Sequence, residues 1–409
     1  MNAPPQHGHH RTAHLDTART GRMPDAVRAV LARRTALDDQ RAPTPAGSTA
    51  SHGRVREHLG RLLGVPAART ALATSAADAF DTHVRDTPLG PRDRIWTTPH
   101  ETLARLHTLH TLRERTRCRL EVIPLRPDGD LDLDWIATHL GPDVALVSVA
   151  HLSPACGTVN PVAAIGRLLA PHRARYAVDA SHSAGLLPLH AAAAACHLLT
   201  ADGHRFLRGP HPTAFTCTTP GPETGPAPVP EVPEPAAVAA LEAALAHHGT
   251  TAARPHEDLL PRLRAALART PGITVLPAGR HQAGILAFRH RTVPAAALRH
   301  ALARRGVLLS KTVAHEHPLH PAGRDGDPAL RASVHHDNTA HDIDRLEQAL
   351  AEALREHHTT TATATRTGSA GTRPALAATA GDHPTPTTAT ATAPRPLRRR
   401  GHLTLHPTP

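Results

Sequence analysis

Apolar residues recur at spacings of three and four along eight stretches of the chain, 24–36, 51–63, 101–116, 160–171, 235–247, 256–269, 294–305 and 340–356. That spacing lines one face of a helix and predicts a helix in each stretch. Between them lie short β-rich runs: RIWTT (94–98), LEVIPL (120–125), VALVSVA (144–150), RYAVDA (175–180), HLLTA (197–201) and TAFTCTT (213–219). Strands alternating with helices imply right-handed crossovers and a mainly parallel sheet covered on both faces, an α/β fold. In such sheets ligands bind beyond the carboxyl ends of the strands, so chemistry is sought in the residues that follow each run.

The Pro-rich stretch at 220–235 closes this first block. A second block, with ITVLPA, GILAFRH, GVLLS and RASVHH between helical segments, reads as a smaller α+β domain. The expected organisation is a disordered tail at 1–14, a large α/β domain at 15–235 with 15–36 packing on the small domain, the small domain at 236–356, and a disordered Thr/Ala/Pro/Arg-rich tail at 357–409.

Composition narrows the possibilities. With 409 residues, 40% of them apolar, the chain can bury a sizeable core. It has no run of about eighteen apolar residues, and its first residues lack the apolar middle of a secretory signal. No membrane partner is expected, and the expected compartment is the cytoplasm. The net charge of +11 is almost all arginine, because Lys311 is the only lysine. No basic stripe interleaves with aromatics, so nucleic acid is not expected as a partner. The four cysteines have no paired spacing, and the thirty-five histidines, His7, His9 and His10 included, are scattered without HExxH, so no metal site is predicted.

Three strand ends carry polar, turn-rich sequence. VALVSVA runs into HLSPACGTVNPV, RYAVDA ends on Asp179 and continues as SHSAGLLPLH, and HLLTA runs into DGHRFLRGP. A carboxylate at the end of a buried strand is costly unless something cationic or hydrogen-bonding meets it, which makes Asp179 a candidate site residue.

In order and spacing these segments resemble the core of the class V aminotransferase and cysteine desulfurase family. LRASVHHDNTAHDIDRLEQALAEAL is similar to the family's closing strand and helix. The resemblance implies a fold-type I, pyridoxal-phosphate (PLP)-dependent architecture, with a seven-stranded-type sheet in the large domain, a homodimer, and a small amino-acid-like substrate handled by aminotransferase, lyase or epimerase chemistry. Some features are reminiscent of hercynylcysteine sulfoxide lyases and isopenicillin N epimerase-like proteins. By the same resemblance Asp179 would pair with the pyridine nitrogen of PLP, His182 would touch its phenolic oxygen, and Thr74, Ser75 and Ala76 would cradle its phosphate. Glu101 or Thr102 would lie near the ring face, His204 beside the cofactor, and Arg331 would grip a substrate carboxylate.

One position departs from the family's chemistry. Where the family has a lysine that forms the Schiff base with PLP, after a histidine, this chain has His204 followed by Arg205. A guanidinium stays protonated and has no free amine to condense. PLP, if held, is then expected to be bound noncovalently, and a relative that binds without catalysing is the alternative to an enzyme. The loop GVLLSKTVAHEHPL carries His315 and no cysteine where the desulfurases bear a persulfide-forming cysteine, which argues against desulfurase activity. Lys311, on this loop, reads as a solvated lysine.

Overall fold

The computed structural model describes residues 12–40, 45–219, 233–249, 255–312, 316–320 and 328–368. The histidines near the N-terminus, His315, most of the Pro-rich stretch, and the tail beyond 368 lie outside these residues. In chain order the first half contains β1 (Ala13–His14), α1 (Asp25–Gln40), α2 (Pro45–Leu63), β2 (Thr70–Ala73), α3 (Ala76–Val84), β3 (Arg94–Thr97), α4 (Leu103–Thr116), β4 (Arg119–Val122), α5 (Leu133–His139) and β5 (Val144–Ala150). Then come α6 (Val162–Leu169), β6 (Arg175–Asp179), α7 (Ala191–Ala194), β7 (Leu198–Asp202) and β8 (Ala214–Thr218). The remainder is α8 (Pro235–Gly249), α9 (Pro255–Arg269), β9 (Ile273–Val275), β10 (Ile285–His290), α10 (Ala295–Arg304), β11 (Val307–Leu308), β12 (Ser310–Thr312), β13 (Ala329–Ser333) and α11 (Ala340–Gly368).

Seven strands form one sheet in the order β2-β8-β7-β6-β5-β3-β4. The run from β7 to β4 is parallel, and β8 lies antiparallel to both β7 and β2. Every residue of β5 is buried, as expected of a strand covered on both faces. The covering helices bring apolar residues at helical spacing: Val55, Leu59 and Leu63 from α2, Val162, Ile165 and Leu169 from α6, and Val238, Leu241 and Leu245 from α8. Each such side chain contributes about 1.5–3 kcal/mol by leaving water.

A second, antiparallel sheet of order β12-β13-β10-β9 is backed by α9, α10 and α11. The N-terminal segment reaches this sheet: β1 pairs with β11, and the amide of Ser333 donates to Leu15 O at 2.8 Å. Among the described residues no helix is long and apolar enough to cross a membrane.

Five elements are absent from the sequence reading, the very short β1 and α7 together with β2, α3 and α5. β2 (TALA) has no alternation of its own and is a strand because it pairs with β8. α3 and α5 are nine and seven residues long, too short to show a clear period. GVLLS, read as one run, divides at Leu309, so that Leu308 pairs with His14 while Ser310 pairs with Arg331. The last helix runs to Gly368 rather than stopping near 356; alanines recur in its extension, and adding a residue to a formed helix is far easier than nucleating one.

Gly157, in the turn after β5, joins the two sheets. Its φ is +81°, its carbonyl accepts from the Ala283 amide at 2.9 Å, and an added Cβ would stand 2.3 Å from Ile285 O. Replacing Gly157 with alanine is expected to cost about 1–3 kcal/mol, from the left-handed backbone and the clash together, read as a lower chemical denaturation midpoint.

Candidate ligand site at the strand ends

β3 is joined on one side to β4 and on the other to β5, so the order of connection reverses there and opens a crevice at the carboxyl ends. Four of those ends converge on it. Asp179, the last residue of β6, is nearly buried, and its Oδ1 accepts the Ser181 amide at 2.8 Å. His182, three residues on, is also buried. Burial first, then the cations Arg205 and Arg331, lower its pKa well below the usual histidine value and keep the ring neutral.

At the end of β7, Asp202 bridges two groups. Its Oδ1 accepts the Ala76 amide at the start of α3, at 3.2 Å, and its Oδ2 accepts Nε of Arg205 at 2.9 Å. Arg205 also donates from its Nη1 to Ala18 O at 2.8 Å. The guanidinium is therefore held between the sheet and the N-terminal segment. Ser75 caps α3, its Oγ accepting the Asp78 amide at 3.3 Å. Thus the helix start that the sequence assigns to a phosphate already binds a carboxylate of this chain at Ala76, while Thr74 lies half-buried beside it. His204 is neutral, its pKa lowered to about 4 chiefly by burial, and its Nδ1 has no hydrogen-bond partner among the described residues.

Glu101 follows β3 and is wholly buried. Its Oε2 accepts the Ser148 hydroxyl at 2.9 Å, and Oε1 lies 3.3 Å from Nε of Arg105. Arg105 donates to Thr200 Oγ1 (2.9 Å) and Ser148 Oγ (3.1 Å), and its guanidinium lies 3.7 Å from the centre of the Phe80 ring. Burial raises the Glu101 pKa, Arg105 opposes that, and the neighbouring Asp179 adds to it. The position expected near a ring face is thus a buried ion pair spanning β5 and β7 across β6.

A cavity of about 550 Å³ opens beside these residues. Among the described residues five cations, Arg19, Arg205, Arg299, Lys311 and Arg331, line it against one carboxylate, Glu316, with neutral His182, His204 and His317 between them. Such a wall concentrates anions. Arg331 is buried at the back, its Nε donating to Ser310 Oγ (3.0 Å) and its Nη1 to Pro154 O (2.8 Å). Burial lowers its pKa to about 10, which still leaves it charged at neutral pH.

The structure therefore brings His182, His204, Arg205, Thr102 and Arg331 to one cavity wall. Asp179, Glu101 and Thr74 to Ala76 are not on that wall; Ala76 connects to it through Asp202 and Arg205. Lys311 lines the cavity, and it sits on the strand β12 rather than on a loop. Arg19, Asp202 and Arg105 went unnoticed in the sequence. For Asp202 the available signal was its place directly before Gly203-His204-Arg205; Arg19 and Arg105 gave none among so many arginines.

Removing one partner of a buried pair strands the other, so Arg105→Met is expected to cost about 3–5 kcal/mol, while Arg105→Met with Glu101→Leu costs much less. A thermal-melt comparison of single and double variants checks this. His151, His204 and His335 are each held near pKa 4 by burial. The unfolded chain takes up these protons near pH 6.5 whereas the folded one refuses them until about 4. Stability is therefore expected to fall as pH drops through that window, visible as a declining melting temperature.

A family model described as "Aminotransferase class-V" matches residues 41–215. The "Probable cysteine desulfurase" of Xylella fastidiosa (strain Temecula1) is 30% identical over 206 residues, covering 48% of this chain and 49% of that protein. The chain thus spans about half the length of the curated relatives it matches. Among solved structures, the cysteine desulfurase CsdA of Escherichia coli superposes with a TM-score of 0.75 at 20% identity, over 84% of this chain and 95% of that one. The cystine C-S lyase C-DES, solved with its product cysteine persulfide, gives 0.72 at 19%, over 84% and 98%. Residues 41–215 thus resemble the class-V aminotransferase family, and the chain as a whole has the fold-type I architecture of the cysteine desulfurase structures.

Proposed function

We propose that this chain keeps the ligand pocket of the family it resembles and uses it to hold PLP noncovalently together with an amino-acid-like anion, without the covalent step that a lysine at position 205 would provide. The observation that carries this reading is Arg205 itself, ion-paired to Asp202 and hydrogen-bonded to Ala18 O at the wall of a five-cation cavity.

The residues suit PLP as an untethered ligand. Asp179 ends the central strand with one oxygen on its own backbone, a carboxylate of the kind that pairs with a pyridine nitrogen. Neutral His182 offers a ring nitrogen as donor or acceptor. The cavity cations suit a phosphate, although the α3 amide at Ala76 is already taken by Asp202. When bound, PLP supplies an electron sink for bonds at an amino acid's α-carbon. Arg331 has two of its five N–H groups engaged by the protein and keeps the others for a substrate carboxylate. His204 is the neutral group beside Arg205, and its Nδ1 is available for a hydrogen bond to a ligand. A lysine-to-alanine mutant of C-DES, a structural neighbour at 19% identity, was solved with glycine covalently linked to its PLP cofactor, so a neighbour missing a lysine retains cofactor and amino acid together. The same reading makes the protein a homodimer acting in the cytoplasm.

A second reading, a working aminotransferase, lyase or epimerase, is favoured by one observation: Lys311, the only amine of its kind in the chain, lines the same cavity. Equilibrium dialysis with PLP, followed by borohydride and peptide mass spectrometry, separates the two. The expected outcome is PLP retained by the unmodified protein with no pyridoxyl group fixed, and pyridoxyl fixed at position 205 in Arg205→Lys. Pyridoxyl on Lys311 would replace the binding reading with the enzymatic one, and absence of PLP from both proteins would remove the cofactor from the proposal.

A further inference from the structure

Three side chains that the cavity does not use meet at the crevice between β3 and β5. His100 follows β3, Cys156 lies in the turn after β5, and His320 comes from the segment 316–320. All three are buried, and one potential ligand atom from each lies within 4.8 Å of the others. The two imidazole rings are 5.7 Å apart, centre to centre.

Their surroundings are arranged as a metal's outer shell would be. Asn160 donates its amide N–H to Ala150 O at 2.6 Å; a carbonyl can only accept, so the amide oxygen must face His100, whose Nδ1 is 3.0 Å away. His100 therefore carries its proton on Nδ1 and its lone pair on Nε2, the arrangement that second-shell partners impose on metal-binding histidines. The Cys156 sulfur lies 3.1 Å from Thr158 Oγ1 and 3.3 Å from Ser153 Oγ. Thr158 Oγ1 accepts the Gly279 amide at 3.0 Å, so its own proton is available to the sulfur.

We propose that His100, Cys156 and His320 form a site for a borderline-soft divalent cation such as Zn²⁺, with one further position open to water. Imidazole nitrogen and thiolate sulfur are both ligands that zinc takes, and three protein ligands leave the fourth tetrahedral position open. Binding converts the thiol to a metal-bound thiolate and releases one proton to solvent, with no change of oxidation state. The ion ties the turns after β3 and β5 to the segment whose Glu316 and His317 wall the cavity, so the site braces the mouth of the pocket. The sequence gives no sign of it, because the ligands stand 56 and 164 positions apart (156 − 100; 320 − 156). This inference is independent of whether PLP binds.

The test is a Co²⁺ titration of the full-length protein after treatment with chelator, followed by absorbance. A sulfur-to-cobalt charge-transfer band in the near ultraviolet, saturating at one equivalent, is the expected result; histidines elsewhere in the chain are invisible to this band. Cys156→Ser should abolish it, Cys196→Ser should leave it intact, and His320→Gln, which keeps the sulfur, should weaken binding at least tenfold. Absence of the band from the unmodified protein overturns the proposal without reference to any variant. So does a band that survives in Cys156→Ser, or binding unchanged in His320→Gln.

Discussion

The carboxylate of Asp202 is the point on which the site turns. It sits at the end of a buried strand and answers two demands at once, the Ala76 amide at the start of α3 and the guanidinium of Arg205. With a lysine at 205, an amine would have to lose its proton to react, and a carboxylate beside it would resist that. Beside an arginine, which remains charged, the same carboxylate makes a stable pair. Asp202 and Arg205 therefore form a consistent unit that favours holding a charge over moving a proton, and the helix start is satisfied from within the chain.

The same preference for fixed charge recurs under the sheet's carboxyl edge. Glu101 and Arg105 form a buried pair that reaches Ser148 on β5 and Thr200 on β7. Of the two residues expected near a ring face, Thr102 lines the cavity and Glu101 is an acid whose ionisation burial resists. Together with the cations of the cavity wall, this gives a pocket rich in preset electrostatics and poor in groups that exchange protons near neutral pH. Burial holds His182, His204 and His317 neutral, while guanidinium groups supply the fixed charge.

The architecture was legible because it rests on local patterns. VALVSVA, RYAVDA and HLLTA are strands by composition and parallel by alternation with helices, and their ends contain Asp179, His182, His204 and Arg205 whatever the details of packing. What could not be read was long-range satisfaction. Ser75 and Ala76 are expected to cradle a phosphate, and only the fold reveals that Asp202 stands opposite Ala76. Arg105 is one of forty-five arginines (46 Lys+Arg less Lys311), and nothing local distinguishes a buried one. β2 is a strand solely because β8 offers it partners, and Lys311 reaches the cavity because Ser310–Thr312 form an edge strand on β13.

The N-terminal segment adds a temporal side to the site. Ala18 O receives Arg205, Gly21 N–H reaches His204 O at 2.8 Å, and an added Cβ on Gly21 would meet Arg205 O at 2.1 Å. The same segment pairs through Ala13, His14 and Leu15 with Val307, Leu308 and Ser333. Residues made first during synthesis are thus completed by residues made some three hundred positions later, and contacts of such separation form slowly. The central sheet can assemble from residues 70–218 while the chain is still emerging, but the wall of the pocket closes only when β11 and β13 arrive to capture the N-terminus. A nascent chain interrupted before β13 would carry most of the fold's core and an open, unfinished site.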